Sequence, residues 1–339
     1  MYRKPLISVC VANFNGMDVI NDCLYSTINQ DIDEQAIEII VHDDASTDES
    51  AAYIKDNFPH IQLLESDHNV GFCVANNRMA AMARGEFILL LNNDAALYPD
   101  ALTTLYHTAQ NTLRPTILSL PQYEFETGEL IDRGSLLDPF LNPTPNKNPD
   151  RDDVAMVMGA CLWIPKALWD ELGGFPEWFG SIGEDLYLCC RARLAGHLVR
   201  VCNQSGYKHK VGASFGGGKI NKGRLSTAMK RRALSERNKT YVMLISYPWQ
   251  LALLIFIPHL LLLHVEGLVL SLVKWNKNLW REIYAPLLGS LWQERDRLWS
   301  TRKEVQQKRA ITLVNWLKPF HWLPWKITMA IKHGLPEVK

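Results

Sequence analysis

The stretch Phe87–Asp94, Phe-Ile-Leu-Leu-Leu-Asn-Asn-Asp, constrains the fold of this chain more than any other. Five successive apolar residues suit a strand buried on both faces, as in a parallel sheet covered by helices. The run stops at three polar residues, and in open α/β sheets the ligand crevice lies just beyond the carboxyl ends of the strands. Asp94 is therefore expected at the rim of a cleft, on a rigid support. A carboxylate beside two amide carbonyls is hard, oxygen-rich ligation of the kind Mg2+ or Mn2+ takes while holding phosphates. The same residues would equally serve to turn the chain before Tyr98-Pro99.

The first 110 residues alternate strand and helix signals. Leu6–Ala12 reads as a buried first strand rather than a signal peptide, because no cleavage site follows it. Ile37–His42, Ile61–Glu65 and the organising strand follow, each separated from the last by a helical pattern. Ser46 and Glu49 have capping-box spacing, which predicts a helix starting there. Short connections between alternating strands and helices predict a mainly parallel sheet.

On that sheet the strand ends share one rim. Asp43 and Asp44 end the second strand, where a base or ribose could be gripped, or where they could act as helix caps. The turn Asn69–Phe72 opens a helix, and backbone N–H groups at a helix start suit a diphosphate. Glu184-Asp185 begins another helix; such residues serve either as dipole partners or as a base that takes a proton from a hydroxyl. The preceding run, Gly174–Gly180, is aromatic and glycine-rich, as a sugar-stacking surface would be. A lone His209 is more often structural than a ligand. Asp138–Asp153, rich in Pro, Asn and Asp, reads as a mobile loop, and Gly212–Gly223 as a lid or flexible loop.

In this order the motifs resemble family 2 inverting glycosyltransferases. The carriers are Asn13-Phe14-Asn15, His42-Asp43-Asp44-Ala45-Ser46, Asn69-Val70-Gly71-Phe72 with Ala75 and Asn77, and Leu91-Asn92-Asn93-Asp94. Gly159-Ala160, Gly173-Gly174-Phe175, Glu184-Asp185 and Arg191 with Gly196 complete the set. Within the family the chain looks most like rhamnosyltransferase-type members that build bacterial cell-surface polysaccharides. The resemblance implies a GT-A (Rossmann-like) α/β domain over 1–235 and a helical, membrane-associated region over 236–339. It implies donor contacts from Asn13, Asn15, Asp43, Asp44, Asn69, Gly71, Phe72, Asn77 and Asn93, with Asp43 on the base. It implies Mg2+ or Mn2+ on Asp94 and His209, and Asp185 as general base, with Glu184 supporting it or the acceptor. Two positions depart from the family pattern: Asn92 opens the metal motif, and Tyr187 stands where a second Asp is usual.

Charge is unevenly spread over this electrically neutral chain of 339 residues. Residues 274–339 hold 13 Lys and Arg against 5 acidic residues, so the tail is +8 and the remainder −8. A basic tail suggests an anionic partner. Trp249–Val273 is 25 residues long with Glu266 as its charged residue, long enough to span a bilayer. A single span would put the sugar site and the basic tail on opposite sides, against the positive-inside tendency. The expectation is therefore a re-entrant or interfacial segment kinked near Pro258, with seven tail tryptophans at headgroup level. The seven cysteines form no paired framework, which favours a reducing cytoplasm. The expected partners are a nucleotide-diphosphate sugar, a lipid-linked (polyprenyl-diphosphate) saccharide acceptor and the cytoplasmic face of the bacterial inner membrane. Nucleic acid is not expected, and self-association is left open. The rival readings are a nucleotidyltransferase, which would want a phosphate-cradling loop after the first strand, and a non-catalytic nucleotide-sugar-binding or scaffold subunit.

Overall fold

The computed structural model describes residues 4–210, 217–221 and 224–338. The chain divides into two compact units. One comprises Met1–Ser135, Pro145–Ala192 and His197–Ser214; the other comprises Leu136–Thr144, Arg193–Gly196 and Phe215–Lys339.

In the first unit the apolar runs become strands and the amphipathic runs become helices. The order is β1 (Ile7–Asn13), α1 (Ile20–Ile28), β2 (Ile37–Asp43), α2 (Ser50–Asn57), β3 (Gln62–Glu65), α3 (Phe72–Met82) and β4 (Phe87–Asn92). Next come β5 (Ala95–Leu97), α4 (Ala101–Gln110), β6 (Thr116–Ser119), β7 (Gln122–Glu124) and β8 (Leu130–Asp132). After the short strands β9 (Ser135–Leu137) and β10 (Pro143–Pro145), which fall mostly in the second unit, the chain continues with β11 (Cys161–Pro165), α5 (Lys166–Leu172), α6 (Glu184–Leu194), β12 (Leu198–Val201) and β13 (Tyr207–His209).

Seven strands form one sheet in the order β12-β6-β11-β4-β1-β2-β3. Strands β1 to β4 are parallel neighbours, and β11 enters antiparallel between β4 and β6. The α/β fold with a mixed, mostly parallel sheet therefore stands as expected. From β1 the chain steps to β2 and β3 on one side, then crosses to β4 on the other. That reversal opens a crevice beyond the carboxyl ends of β1 and β4. Fully buried Val9, Val11, Leu89 and Trp163 form the core, and Trp163 stacks on Phe87 with ring centroids 4.9 Å apart. A second sheet, β5-β13-β7-β8, carries His209 beside β4's polar end.

Several local expectations change. Ser46 does not cap a helix: α2 starts at Ser50, and the Ser46 hydroxyl instead donates to Asp43 Oδ1 at 2.6 Å. The 138–153 stretch is anchored rather than loose. In the first unit, Asn146 is buried, its N–H donates to Asp132 Oδ1 and its amide donates to the Arg133 and Arg151 carbonyls. Outside β10, Asx-type bonds hold that stretch, because side-chain carboxylates and amides satisfy the turns' backbone.

The second unit is mainly helical. Its elements are β14 (Gly217–Asn221), β15 (Arg224–Thr227), α7 (Met229–Ser246), α8 (Trp249–Val273), a π-helical turn Leu279–Tyr284, α9 (Pro286–Gln293), α10 (Arg295–Gln307), α11 (Leu313–Leu317), α12 (Trp325–His333) and β16 (Glu337–Val338). Residues 211–216, 222 and 223 of the glycine-rich stretch lie outside the described residues, so the expected lid is not described. Helix α8 is continuous through Pro258 over 25 residues. A re-entrant hairpin needs a break to reverse direction, and this helix has none. It is long and apolar enough to cross a membrane, with mean hydropathy 2.1.

Candidate active site

The parallel register brings Asn13 beside Asp43 and Ala12 beside Asn92, so three strand ends meet. Asn13 Nδ2 donates to Asp43 Oδ1 at 2.8 Å and to Ser50 Oγ at 2.9 Å. Asn93 Nδ2 donates to Asn13 Oδ1 at 2.9 Å. Gly16 lies against this pair: a Cβ there would fall 2.1 Å from Asn13 Oδ1. The site thus needs a glycine where the sequence alone shows only a turn.

Asp43 is buried and accepts from Asn13 and from the Ser46 hydroxyl at Oδ1, and from the Ser46 N–H at Oδ2. A carboxylate offers about four lone-pair positions, so one on Oδ2 remains suited to a base N–H. Asn15 Oδ1 accepts the Thr47 N–H at 2.7 Å, and the Asn15 N–H donates to Ser46 Oγ. Asn13 and Asn15 therefore lie on the rim but use their side chains to hold the 43–50 turn. Asn15 and Ala45 both take positive φ, 49° and 61°, and such strain gathers where a site dictates the backbone. Phe14, between Asn13 and Asn15, is half exposed, an aromatic face not anticipated as a contact in its own right.

The 69–72 turn departs from expectation. Its N–H groups do not point at open space: Val70 and Gly71 donate to the two oxygens of Asp44 at 2.6 and 2.9 Å. The Cys73 N–H donates to the Gly180 carbonyl. The side chain of Asn69 reaches the Asp44 carbonyl at 3.4 Å. A buried carboxylate has taken the place expected for a diphosphate, so Asp44 is a clip between β2 and α3. Asn77 is a second clip, exchanging hydrogen bonds with both the N–H and carbonyl of Phe175. Phe72 stacks on Phe175, and Phe175 and Phe179 are buried, which leaves half-buried Trp178 as the aromatic of that run with accessible surface.

Asp94 meets His209 across 115 residues, Oδ1 to Nε2 at 3.0 Å, both buried. Gln122 Nε2 lies 3.0 Å from His209 Nδ1, and the Tyr207 hydroxyl donates to Gln122 Oε1. With Gln122 donating to Nδ1, the ring proton sits on Nε2 and points at Asp94. Turning the amide over lets Nδ1–H donate to Oε1 and leaves the Nε2 lone pair facing Asp94. Two neighbouring ligands about 2.1 Å from one Mg2+ would themselves lie about 3.0 Å apart. One carboxylate, one imidazole and an orienting outer partner fit a divalent cation. Among the described residues no group of three or more His, Cys, Asp or Glu could hold a metal, so diphosphate oxygens and water would complete the sphere.

Asp185 stands in the first turn of α6. Its Oδ2 accepts the Gly159 N–H at 3.1 Å, and the neighbouring Ala160 carbonyl accepts the Asn92 N–H. A run of bonded neighbours therefore joins Asp43, Asn13, Asn93-Asp94, Asn92, Ala160-Gly159 and Asp185. Burial above all pushes the Tyr207 phenol up. Glu184 is buried; burial first, then its charge and that of Asp185, push the Cys73 thiol up. The loop before α6 is strained at Ile182, a β-branched residue at φ 67°. Tyr187 is buried and its hydroxyl accepts from Arg191 at 2.7 Å. The departure at 187 thus falls on an internal partner of Arg191.

Residues 8–173 match the family model described as Glycosyl transferase family 2. The chain is 36% identical over 102 residues to the uncharacterized glycosyltransferase YibD of Escherichia coli K12, covering 29% of each protein. The matched stretch spans less than a third of the length of such curated relatives. Among solved structures it resembles S. aureus TarS residues 1–349 in complex with UDP, with TM-score 0.55 and 15% identity over 89% of this chain and 90% of that one. It also resembles GalNAc-T7 with UDP, GalNAc and Mn2+, with TM-score 0.53 and 17% identity over 60% of this chain and 42% of that one. These likenesses show the GT-A fold.

Proposed function

We propose that this chain, of which residues 8–173 match the glycosyltransferase family 2 model and whose fold is GT-A, transfers a sugar with inversion from a nucleotide-diphosphate donor to a lipid-linked saccharide. The observation that carries the reading is the bonded run from Asp43 to Asp185 along the carboxyl ends of β1, β2 and β4. Asp43 takes a base N–H, and Phe14 offers a flat face beside it. Asn13, Asn15, Asn93, Asp44, Asn69, Gly71, Phe72 and Asn77 hold the donor side in shape, the last five through the α3 turn and its clips.

Asp94 and His209 would hold Mg2+ or Mn2+, which when bound neutralises charge gathering on the departing diphosphate. Asp185 takes the proton of the acceptor hydroxyl as its oxygen bonds to the anomeric carbon. The bond from that carbon to the diphosphate breaks on the opposite face, and the nucleoside diphosphate leaves with the electron pair. One displacement inverts the centre. Glu184, buried one residue before, supports Asp185 or the acceptor. Rhamnose remains the proposed sugar, and a lipid-linked polyprenyl-diphosphate acceptor at the cytoplasmic face of the membrane remains the proposed acceptor, supported by a helix long and apolar enough to cross a membrane. The solved neighbours with UDP in their titles make a uridine donor the first to try.

The test is a donor screen that measures nucleoside diphosphate released with membrane-extracted lipid acceptors. Release with one donor, dependent on acceptor, supports the reading. Absence of release with every uridine, thymidine and guanosine donor overturns it.

A further inference from the structure

We infer that the second unit docks on one leaflet of an anionic bilayer, with α8 lying in the membrane plane and not crossing it. This rests on the membrane attachment proposed above and on no part of the sugar chemistry.

The two faces of α8 differ in what they touch. Leu254, Ile257, Leu261, Val265, Leu268 and Leu272 recur every three or four residues and are all exposed. They form one apolar stripe along the helix. The opposite face is packed: His259, Leu263, Gly267 and Leu270 are buried or closely covered, and a Cβ on Gly267 would fall 2.5 Å from the Tyr284 ring.

That packed face is also ionic. Glu266 pairs with Arg232 at 2.5 Å and with Lys326 at 2.7 Å. Lys326 reaches Glu236, which also pairs with Lys239 at 2.7 Å. Burial alone would raise the Glu236 carboxyl, but Lys239, Lys326 and Arg232 outweigh it and hold it well below the usual range. Helix α7 runs antiparallel along α8, since Arg232 meets Glu266 and Thr240 meets His259.

This cluster decides the orientation. If α8 crossed the bilayer, α7 and α12 would be carried into hydrocarbon beside it, with Arg232, Glu236, Arg237, Lys239 and Lys326. Charged side chains at mid-bilayer are strongly disfavoured, and these would be carried there together. Lying flat, the stripe enters the acyl region and the ionic face stays in protein. The occupant is set by chemistry at the flanks. Trp275 is 97% exposed, and Trp249, Trp292, Trp299 and Trp322 are all exposed too. They alternate with the +8 tail, including Lys274 and Lys277 beside Trp275. Indoles with cations match an anionic headgroup layer, whereas a second copy would present the same positive charge.

The test uses the full chain bound to sealed vesicles of phosphatidylcholine with phosphatidylglycerol. Trp249→Cys and Trp275→Cys are probed separately with a membrane-impermeant thiol reagent, the native cysteines being buried. Docking in plane predicts that both label from outside. Labelling of one of the two only after the vesicles are opened overturns it. Leu261→Glu with Val265→Glu should weaken flotation at least about tenfold, and pure phosphatidylcholine should bind more weakly than the anionic mixture. Unchanged flotation, or a soluble dimer that loses its interface in the same double variant, also overturns it. Nucleoside diphosphate release by the same variants in detergent separates this failure from failure of the transfer reading.

Discussion

The strand-end rim and the α7–α8–α12 cluster are both buried polar networks, and they are built in opposite ways. The rim joins Asp43, Asn13, Asn93 and Ser50 through neutral amides and hydroxyls around one carboxylate. The cluster opposes Arg232, Lys239 and Lys326 to Glu236 and Glu266. Amides can be rearranged by a ligand at small cost, so a rim of this kind suits a site that opens to substrate. Full charges in a low dielectric hold one arrangement, because removing any partner strands another. The cluster therefore reads as a clamp on the orientation of α8.

The largest expected effect falls on the rim. Asp185→Asn should lower kcat about 10²–10⁴-fold with donor affinity within a few-fold of the parent, measured by diphosphate release and by titration of donor binding. Activity near that of the parent would remove the base assignment. Next comes the clamp: Glu236→Gln leaves Lys239 and Lys326 short of charge and should cost about 3–5 kcal/mol in denaturant unfolding. A loss under 1 kcal/mol would show that the cluster is solvated and the comparison false. His209→Ala should weaken Mn2+ binding about 10–100-fold, read by calorimetry with the nucleoside diphosphate present. If affinity is unchanged, His209 serves only to orient Asp94.

The smallest effect concerns pH. Burial pushes the Asp132 carboxyl up to about 7, against the bonds it accepts from Ser135 and Asn146. Its folded value lies above its unfolded one. Its contribution to stability is thus full below about pH 4 and is lost as pH rises through about 7. Asp132→Asn should flatten that slope and stabilise the fold at pH 8 by about 1–2 kcal/mol, with thermal unfolding at pH 5 and 8 as the check. A parent protein equally stable at both values would place Asp132 in water.

Much of the first unit was legible in its sequence. Apolar runs of four to seven residues became the parallel strands, and the polar stop after Leu91 marked the crevice. The roles of individual polar groups were less so. Asp44 and Asp43 are adjacent, yet strand alternation turns their side chains to opposite faces. One meets the α3 turn and the other the β1 end, and a dipeptide cannot say which.

What the sequence settles by itself is periodic and short-range: which segments are buried on one face, which on two, and where the polarity changes. That determines the α/β sheet, the acidic strand ends and a 25-residue apolar helix. Pairings over long separations were left to tertiary structure. Asp94 finds His209 because β13 pairs with β5 in one register, and Glu266 finds Lys326 because α12 returns to α8. The reason is physical: burial is favourable for any apolar surface, whereas a hydrogen bond or ion pair exists only when two particular atoms arrive within about 3 Å of each other.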